Sequence, residues 1–564
     1  MNSKIVKWRF FLLWLLGCVL IITRRPDMFF NPQPWAEDAA VFIRGVLDDG
    51  WMSFFSPYAG YLHILPRIIT FFAVNISLIF QQGFVWAPAI MNFSTIAINS
   101  YCAVMICHSR FEWLGKWYLR LLLSMLIILF PGASEVYGNV TNVHWWLGIV
   151  AFFMIWDAFQ AKKIPNWRDI GVFCLIILST PNGLLVFPAL CLLYWNINKF
   201  KLRKEIVKII PVFVFSVIVG GMILMSRATL TGEGGAATNL LSGILGYILT
   251  GVFADLIVGD ATAFVSAHGF QMLELVGFLL LAIMLFFSRK SIKDLYVPLI
   301  FLSLIIVLTI MGTADFYIPL FKDNYTVNGQ RYIFIPAVIV LSILLYEMNT
   351  LLVKKSNWRY IKIALFGAIF LLILPSIFSA YKFSPFIDYQ WKKRVLIYDA
   401  KGSAEFCIPI NPTGWQLPLP SACGEECIEQ FLSNQPVSKI SLDNRYLAYA
   451  DTTMVKLDSI SVLRITDRSI IVYQLPAVSY LRYCILDFQE PLVEGMAQLM
   501  FLSEKSELLA PPYKIKMKGN RSQYIMEMVP AVPQVRFLRI DFTEFSTATP
   551  ITLCQLNVYS INTQ

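Results

Sequence analysis

The chain has 564 residues, 57% of them apolar and 15% charged, with a formal net charge of +10. Ordinary soluble domains carry about 25% charged residues, so composition excludes a water-soluble globular enzyme. The charge is also uneven: residues 401–564 hold 14 Lys+Arg and 16 Asp+Glu, leaving 32 against 20 in the first 400, so the excess follows membrane topology and no nucleic-acid partner is expected.

The first apolar stretch, residues 10–22, follows Lys4, Lys7 and Arg9 and runs into TRRPDMFF. That flank offers no small-x-small cleavage site, so it predicts a retained membrane helix. Apolar stretches near the ~20 residues needed to cross a bilayer recur to residue 380 or so. They predict an α-helical polytopic membrane protein with about 10–13 transmembrane helices. Short basic clusters at 4–9, 110–120, 162–168, 199–208, 289–293 and 354–362 mark cytoplasmic loops. Segments 24–63, 131–145, 226–268 and 313–331, and everything after 381, then face outward. The runs 64–80 and 85–107 leave the path there ambiguous, as does the run 243–258. STPNG, between 170–178 and 184–195, predicts two short helices around a turn.

The character changes near residue 381. Short alternating segments such as SIIVYQL, YLRYCILDF, VRFLRIDF and ITLCQLNVYS replace the long apolar runs, with Pro, Gly and Asn between them. This predicts a transmembrane domain over 1–380, a linker over 381–400 and an extracytoplasmic β-sandwich over 401–564. Of the ten cysteines, five lie in apolar segments and read as small buried side chains; CGEEC (423–427) favours a disulfide over a zinc site.

The outward loops carry the candidate chemistry. In NPQPWAEDAAVFI (31–43), Glu37 and Asp38 stand side by side past the first helix. A carboxylate near the bilayer is costly and tends to face protein or water; ionised, it serves as a general base. The alternative is the first turn of a helix, favoured by its dipole. In SPYAGYLHILPR, His63 and Arg67 share a helical face. Arg67 suits a phosphate or an acidic partner, or snorkels to the interface. SEVYGNVTNVHWWLG offers Glu135, Asn139, Asn142, His144, Trp145 and Trp146, a mix that either holds sugar rings or forms an interfacial aromatic belt. Arg331 and Tyr332 stand where GQRYIFIP enters a helix, placed to grip a phosphate. Arg24, Arg25 and Lys322 are further cations on the outer side, against the positive-inside trend, which mildly favours an anionic ligand there, although an ordinary solvated face is just as common. No nucleotide loop, dinucleotide fingerprint or zinc-protease helix occurs.

The order and sidedness of WAEDAAVFI, PYAGYLHILPR, TNVHWW and GQRYIFIP resemble polytopic bacterial glycosyltransferases of the GT-C class. Nearest in layout are the serotype-converting glucosyltransferases that modify O-antigen. The resemblance spans residues 1–400. It implies a sugar on a polyprenyl phosphate as donor, a cell-surface glycan such as O-antigen as acceptor, and a multi-pass protein of the bacterial inner membrane with its tail in the periplasm. The family's acidic position maps to Asp38, with Glu37 beside it. Arg67, Arg331 and Lys322 are then candidates for the donor phosphate. His63, Glu135, Asn142, His144, Trp145 and Tyr332 are candidates for the sugar. No cofactor is required by the sequence, and a divalent metal is compatible with it although no ligand cluster demands one. The tail departs from a minimal member of the class and looks like a galactose-binding-like sandwich. A flippase for lipid-linked glycans, or a non-enzymatic glycan-binding assembly protein, is the competing reading. The first wants internal symmetry and a charged path, and the second leaves the acidic pair idle.

Overall fold

A computed structural model describes residues 3–80, 83–131, 134–198, 204–228, 247–254, 270–288, 292–313, 331–353, 359–395, 404–412, 415–421, 437–440, 444–449, 455–457, 463–465, 469–505, 507–510, 512–543 and 551–561. Lys322, the CGEEC segment and most of 226–268 and 313–331 lie outside these residues. The chain divides into two compact units, one of residues 1–30, 54–69 and 91–385, the other of residues 31–53, 70–90 and 386–564.

The first unit is helical. Its helices are α1 (Ser3–Arg24), α2 (Ile64–Ile79), α3 (Ala87–Val104), α4 (Trp117–Ile128), α5 (Val143–Gln160), α6 (Trp167–Ser179), α7 (Val186–Asn198), α8 (Ile210–Ala228), α9 (Phe270–Ser288), α10 (Ile292–Thr313), α11 (Arg331–Val353) and α12 (Arg359–Ser379); the division between units passes through α2 and α3. Among the described residues, four helical segments are long and apolar enough to cross a membrane: Ala87–Cys107, Val143–Gln160, Lys204–Ser226 and Arg331–Leu352. The chain is a membrane protein. Shorter apolar helices accompany them at Ile64–Ile79, Trp117–Ile128, Glu274–Phe286, Asp294–Ile310 and Gly367–Ser379.

The core is built on α5, whose residues from Val143 to Phe159 are all buried. A helix apolar on every side belongs in the interior. STPNG behaves as its spacing predicts: α6 stops at Ser179, a tight turn runs over Pro181–Leu185, and α7 begins at Val186. Gly183 is obligatory in that turn, because a Cβ there would lie 2.6 Å from the Ile177 Cα and 2.8 Å from its N. Arg110 donates to Asp157 Oδ2 (2.6 Å), Asp169 Oδ1 (2.8 Å) and Asp169 Oδ2 (3.0 Å), clasping the end of α5 to the start of α6.

One outer-side cation departs from expectation. Arg24 is fully buried at the end of α1. Its guanidinium donates to the carbonyls of Ile128 (2.7 Å), Phe130 (2.9 Å), Tyr381 (3.1 Å) and Ala380 (3.3 Å), and lies 4.7 Å from the Tyr137 and 4.0 Å from the Phe383 ring centroid. The last carbonyls of a helix have no partner within it, and Arg24 supplies one for the ends of α4 and α12. It is a structural clasp, so its charge is no argument for an anionic ligand.

The second unit carries the strands β1 (Ala404–Ile410), β2 (Trp415–Ser421), β3 (Val437–Ile440), β4 (Asn444–Tyr449), β5 (Val455–Leu457), β6 (Leu463–Ile465), β7 (Ser469–Leu502), β8 (Tyr513–Thr543) and β9 (Ile551–Ile561). They join in order β2-β1-β8-β7-β4-β5, with β9 pairing β7, β3 and β6. The β1–β8 pair is parallel and the other described pairs are antiparallel. The two sheets of the expected sandwich are here one hydrogen-bonded ladder, because β7 and β8 change partners at register shifts: Met496 pairs with both Thr543 and Lys516. Such irregularities bend a strand and let one ladder wrap its own core. Cys407 and Cys484 both pair with Met526 and are buried in that core, where they serve as small apolar side chains.

Candidate functional site

Three of the segments that the charge pattern predicts to face outward converge within the first unit. In PYAGY, Tyr58 and Tyr61 exchange backbone hydrogen bonds (2.9 and 3.2 Å) around Ala59 (φ +49°) and Gly60 (φ +85°). Glycine suits the second position, since φ +85° strains any L side chain and a Cβ on Gly60 would lie 3.3 Å from the Ile223 Cα. The chain then passes through His63, also left-handed at φ +55°, before α2 starts at Ile64. Strained backbone at a non-glycine residue gathers at functional sites. The turn brings the Tyr61 ring onto His63, stacked at 3.7 Å, with Tyr58 at 5.7 Å. Arg67 is buried one turn on; its Nε donates to the Leu62 carbonyl (2.9 Å) and its backbone N–H to His63 O (3.0 Å).

The second segment is knitted by its amides. The Glu135 carbonyl accepts from Asn139 Nδ2 (2.5 Å) and Asn142 Nδ2 (2.8 Å), Asn139 Oδ1 accepts from the Asn142 N–H (3.0 Å), and Asn142 Oδ1 accepts from Trp145 Nε1 (3.1 Å). Asn142 is thus spent on orienting Trp145 and the Glu135 loop. His144 lies 5.9 Å from His63 and 4.8 Å from Trp145 between ring centroids. Trp146, by contrast, turns into the core against Tyr137 and Phe334, its Nε1 donating to Val136 O (2.7 Å), so it shapes no pocket.

The third segment is the mouth of α11. Tyr332 meets Trp145 edge-on at 5.2 Å, and the Arg331 guanidinium lies 5.2 Å from the Tyr332 ring centroid and 3.5 Å from Glu135 Oε2. At that distance Arg331 and Glu135 attract without a short hydrogen bond. The result is one continuous cluster: Tyr61, His63, His144, Trp145, Tyr332, Arg331 and Glu135.

Electrostatics fix the state of its members. His63 Nδ1 faces Tyr61 O (3.2 Å) and His144 Nδ1 faces Thr141 O (2.6 Å). A carbonyl only accepts, so both protons sit on Nδ1 and both Nε2 atoms are acceptors. Burial, then His144, push the His63 pKa well below its usual range; the Tyr61 carbonyl opposes this, and Arg67 adds a smaller push downward. His63 is neutral at physiological pH. Burial also draws the nearby Arg25 down to about 10, against the pull of Asp27.

The acidic pair belongs to the second unit. Asp38 opens a π-helical turn (Asp38–Ile43) that continues as helix through Arg44–Asp49, so the helix-start geometry is present. Yet Asp38 is buried, at 1% exposure, while Glu37 is only half-buried. A helix-start carboxylate kept for the dipole alone belongs in solvent, and π-turns are frequent at functional sites. Among the described residues no group of three or more His, Cys, Asp or Glu side chains could hold a metal ion. Sequence reasoning passed over Tyr58 and Tyr61; their signal was an aromatic pair bracketing a glycine turn just ahead of a histidine.

No protein-family description and no curated protein matches the chain. Among solved structures, it is similar to the arabinofuranosyltransferase AftD from Mycobacteria at 7% identity and TM-score 0.32, covering 99% of this chain and 61% of that one. The enzymatically active domain of tailspike protein 4 from bacteriophage CBA120 matches 22% of this chain and 18% of its own at 14% identity and TM-score 0.15. The chain spans less than two thirds of either structure. Likenesses this distant carry no argument about fold or activity.

Proposed function

We propose that the protein is a GT-C-type glycosyltransferase that moves a hexose, glucose by preference, from a polyprenyl-phosphate donor to a cell-surface polysaccharide such as O-antigen, outside the bacterial inner membrane. The observation that carries this reading is the convergence of two histidines, stacked aromatics and an Arg–Glu pair from three segments of the first unit. Aromatic faces cover the C–H faces of a sugar, and imidazole Nε2 atoms accept from its hydroxyls. A donor phosphate competes with Glu135 for Arg331, whose planar fork suits phosphate oxygens.

Asp38 is the base. It takes the proton of an acceptor hydroxyl, whose oxygen attacks the anomeric carbon as the C–O bond to phosphate breaks. Polyprenyl phosphate leaves as an anion and needs charge stabilisation, supplied by Arg331 and by Arg67, with Lys322 a third candidate outside the described residues. Glu37, half-buried and adjacent, is the secondary candidate. The test uses membranes containing the protein, a polyprenyl-phosphate-linked labelled hexose and purified O-polysaccharide. Asp38→Asn is expected to lose at least about 1000-fold in transfer, and Glu37→Gln under about 10-fold, in keeping with loss of a general base. Unchanged transfer in Asp38→Asn would remove the residue from the reaction.

A further inference from the structure

Within the second unit, the acidic turn is held by the first β-hairpin. The tip of that hairpin is Asn411, between β1 and β2. The Asn411 carbonyl accepts the Ala36 N–H, and Trp35 and Asn411 form an isolated parallel bridge. Its side chain forms a two-sided rung with the incoming chain: the Ile387 N–H donates to Oδ1 (2.9 Å) and Nδ2 donates to Ile387 O (2.9 Å). Next door, Phe386 stacks on Trp35 at 5.1 Å and 26°, and Gln33 Nε2 donates to Asp388 Oδ1 (3.2 Å). Ala36 takes a left-handed φ of +36°, and the Asp38 N–H closes back on Trp35 O (2.7 Å). The π-turn that follows packs on β2.

A conformation with positive φ at alanine persists only where its surroundings over-determine it. Here the surroundings are the hairpin tip and segment 386–388, tied to each other by one side-chain amide. Asn411 is 3% exposed, and both ends of that amide are used.

We propose that Asn411 is a positioning residue for Asp38, and that the β-rich tail thereby sets the geometry of the base. The inference rests on the reading of Asp38 as that base. It gives the tail a task in the transfer step itself, beside any contact with the acceptor glycan.

The test compares wild type, Asn411→Ala, Phe386→Leu, Asp38→Asn and the double variant Asp38→Asn/Asn411→Ala in the transfer assay, with thermal unfolding of each full-length protein in detergent. Displacing a catalytic group by about 1 Å can cost 100-fold. Asn411→Ala is therefore expected to lose about 10- to 100-fold in kcat with donor KM unchanged, and Phe386→Leu, which loosens only the Trp35 stack, about 3- to 10-fold. The double variant is expected to be no slower than Asp38→Asn alone. Wild-type kcat in Asn411→Ala, or a further loss on the Asp38→Asn background, overturns the inference while leaving the base in place. A fall in Asn411→Ala that tracks its melting temperature also overturns it, unless Phe386→Leu shows the kcat loss at wild-type stability. If Asp38→Asn itself transfers normally, the reading of the base has failed, which is a separate result.

Discussion

Replacing His63 by Gln should change how the protein's stability responds to acid. The imidazole is 2% exposed, stacked on Tyr61 at 3.7 Å and facing His144 at 5.9 Å, with Arg67 also raising the cost of a positive charge. Burial is the largest of these effects, and its folded pKa lies well below 6.5. In the unfolded chain the same group titrates near the ordinary value of about 6.5. Between the two values the unfolded chain binds the proton and the folded chain does not, so acid favours unfolding. Stability due to the neutral ring is complete above about pH 6.5 and is lost as pH falls toward the folded value.

The slope is at most about 1.4 kcal/mol per pH unit for one group and is half-developed at the unfolded midpoint, so a step from pH 7.5 to 5.0 removes at most about 2 kcal/mol. In a chain of this size, with an unfolding entropy of about 2.1 cal/mol/K per residue, that amounts to about 1–2 °C in melting temperature. The assay is thermal unfolding in detergent at pH 7.5, 6.5, 5.5 and 5.0 for wild type and His63→Gln. His144 and the carboxylates titrate in both proteins, so the difference between the two curves isolates His63. Wild type should lose about 2 kcal/mol more than the variant by pH 5.0. Parallel curves would mean that the ring is protonated in the folded protein and that the buried, neutral histidine is wrong.

Removing the guanidinium in Arg24→Leu leaves four carbonyls without their donor and should cost about 3–5 kcal/mol, read as melting temperature and detergent-extracted yield. Arg24→Lys should recover little, since one ammonium cannot span the ends of α4 and α12; a loss under about 1 kcal/mol would refute the clasp. Gly183→Ala places a Cβ against the Ile177 backbone and should prevent accumulation in the membrane, whereas Gly171→Ala, with nothing within 4 Å, should accumulate normally. In the transfer assay, Arg331→Gln should raise donor KM by about 10-fold or more, while Glu135→Gln, which frees Arg331, should lower it. Equal donor KM in all three proteins would detach this pair from the phosphate.

What could be read in the sequence follows from which interactions leave a mark on residue type. Membrane class and the α6–α7 turn were legible because burial in lipid demands long apolar runs and STPNG breaks them. His63, His144, Trp145 and Tyr332 could be named, since polar and aromatic residues beside apolar helices stand out. Their assembly into one cluster could not, because it depends on how distant helices pack. Arg24 was misread for a related reason: a sequence displays the cation and hides the backbone carbonyls that quench it. In the tail, alternation revealed strands but not that β7 and β8 each run past their internal turn signals, where pairing with neighbours outweighs local propensity.

Asn411 was invisible for the same cause as Arg24. Its rung with Ile387 and its link to Ala36 end on backbone atoms, which every residue possesses. Only the asparagine carries a chemical mark, and an Asn-Pro pair at a hairpin tip reads as an ordinary turn. The carboxylate that does chemistry is therefore advertised by its type, while the group that aims it is not. The tail resembles a galactose-binding-like module, a likeness that suits either holding the acceptor glycan or shielding the site. The contacts of its first hairpin attach it to the loop that bears Asp38, so removing it should silence the base whether or not it also holds glycan.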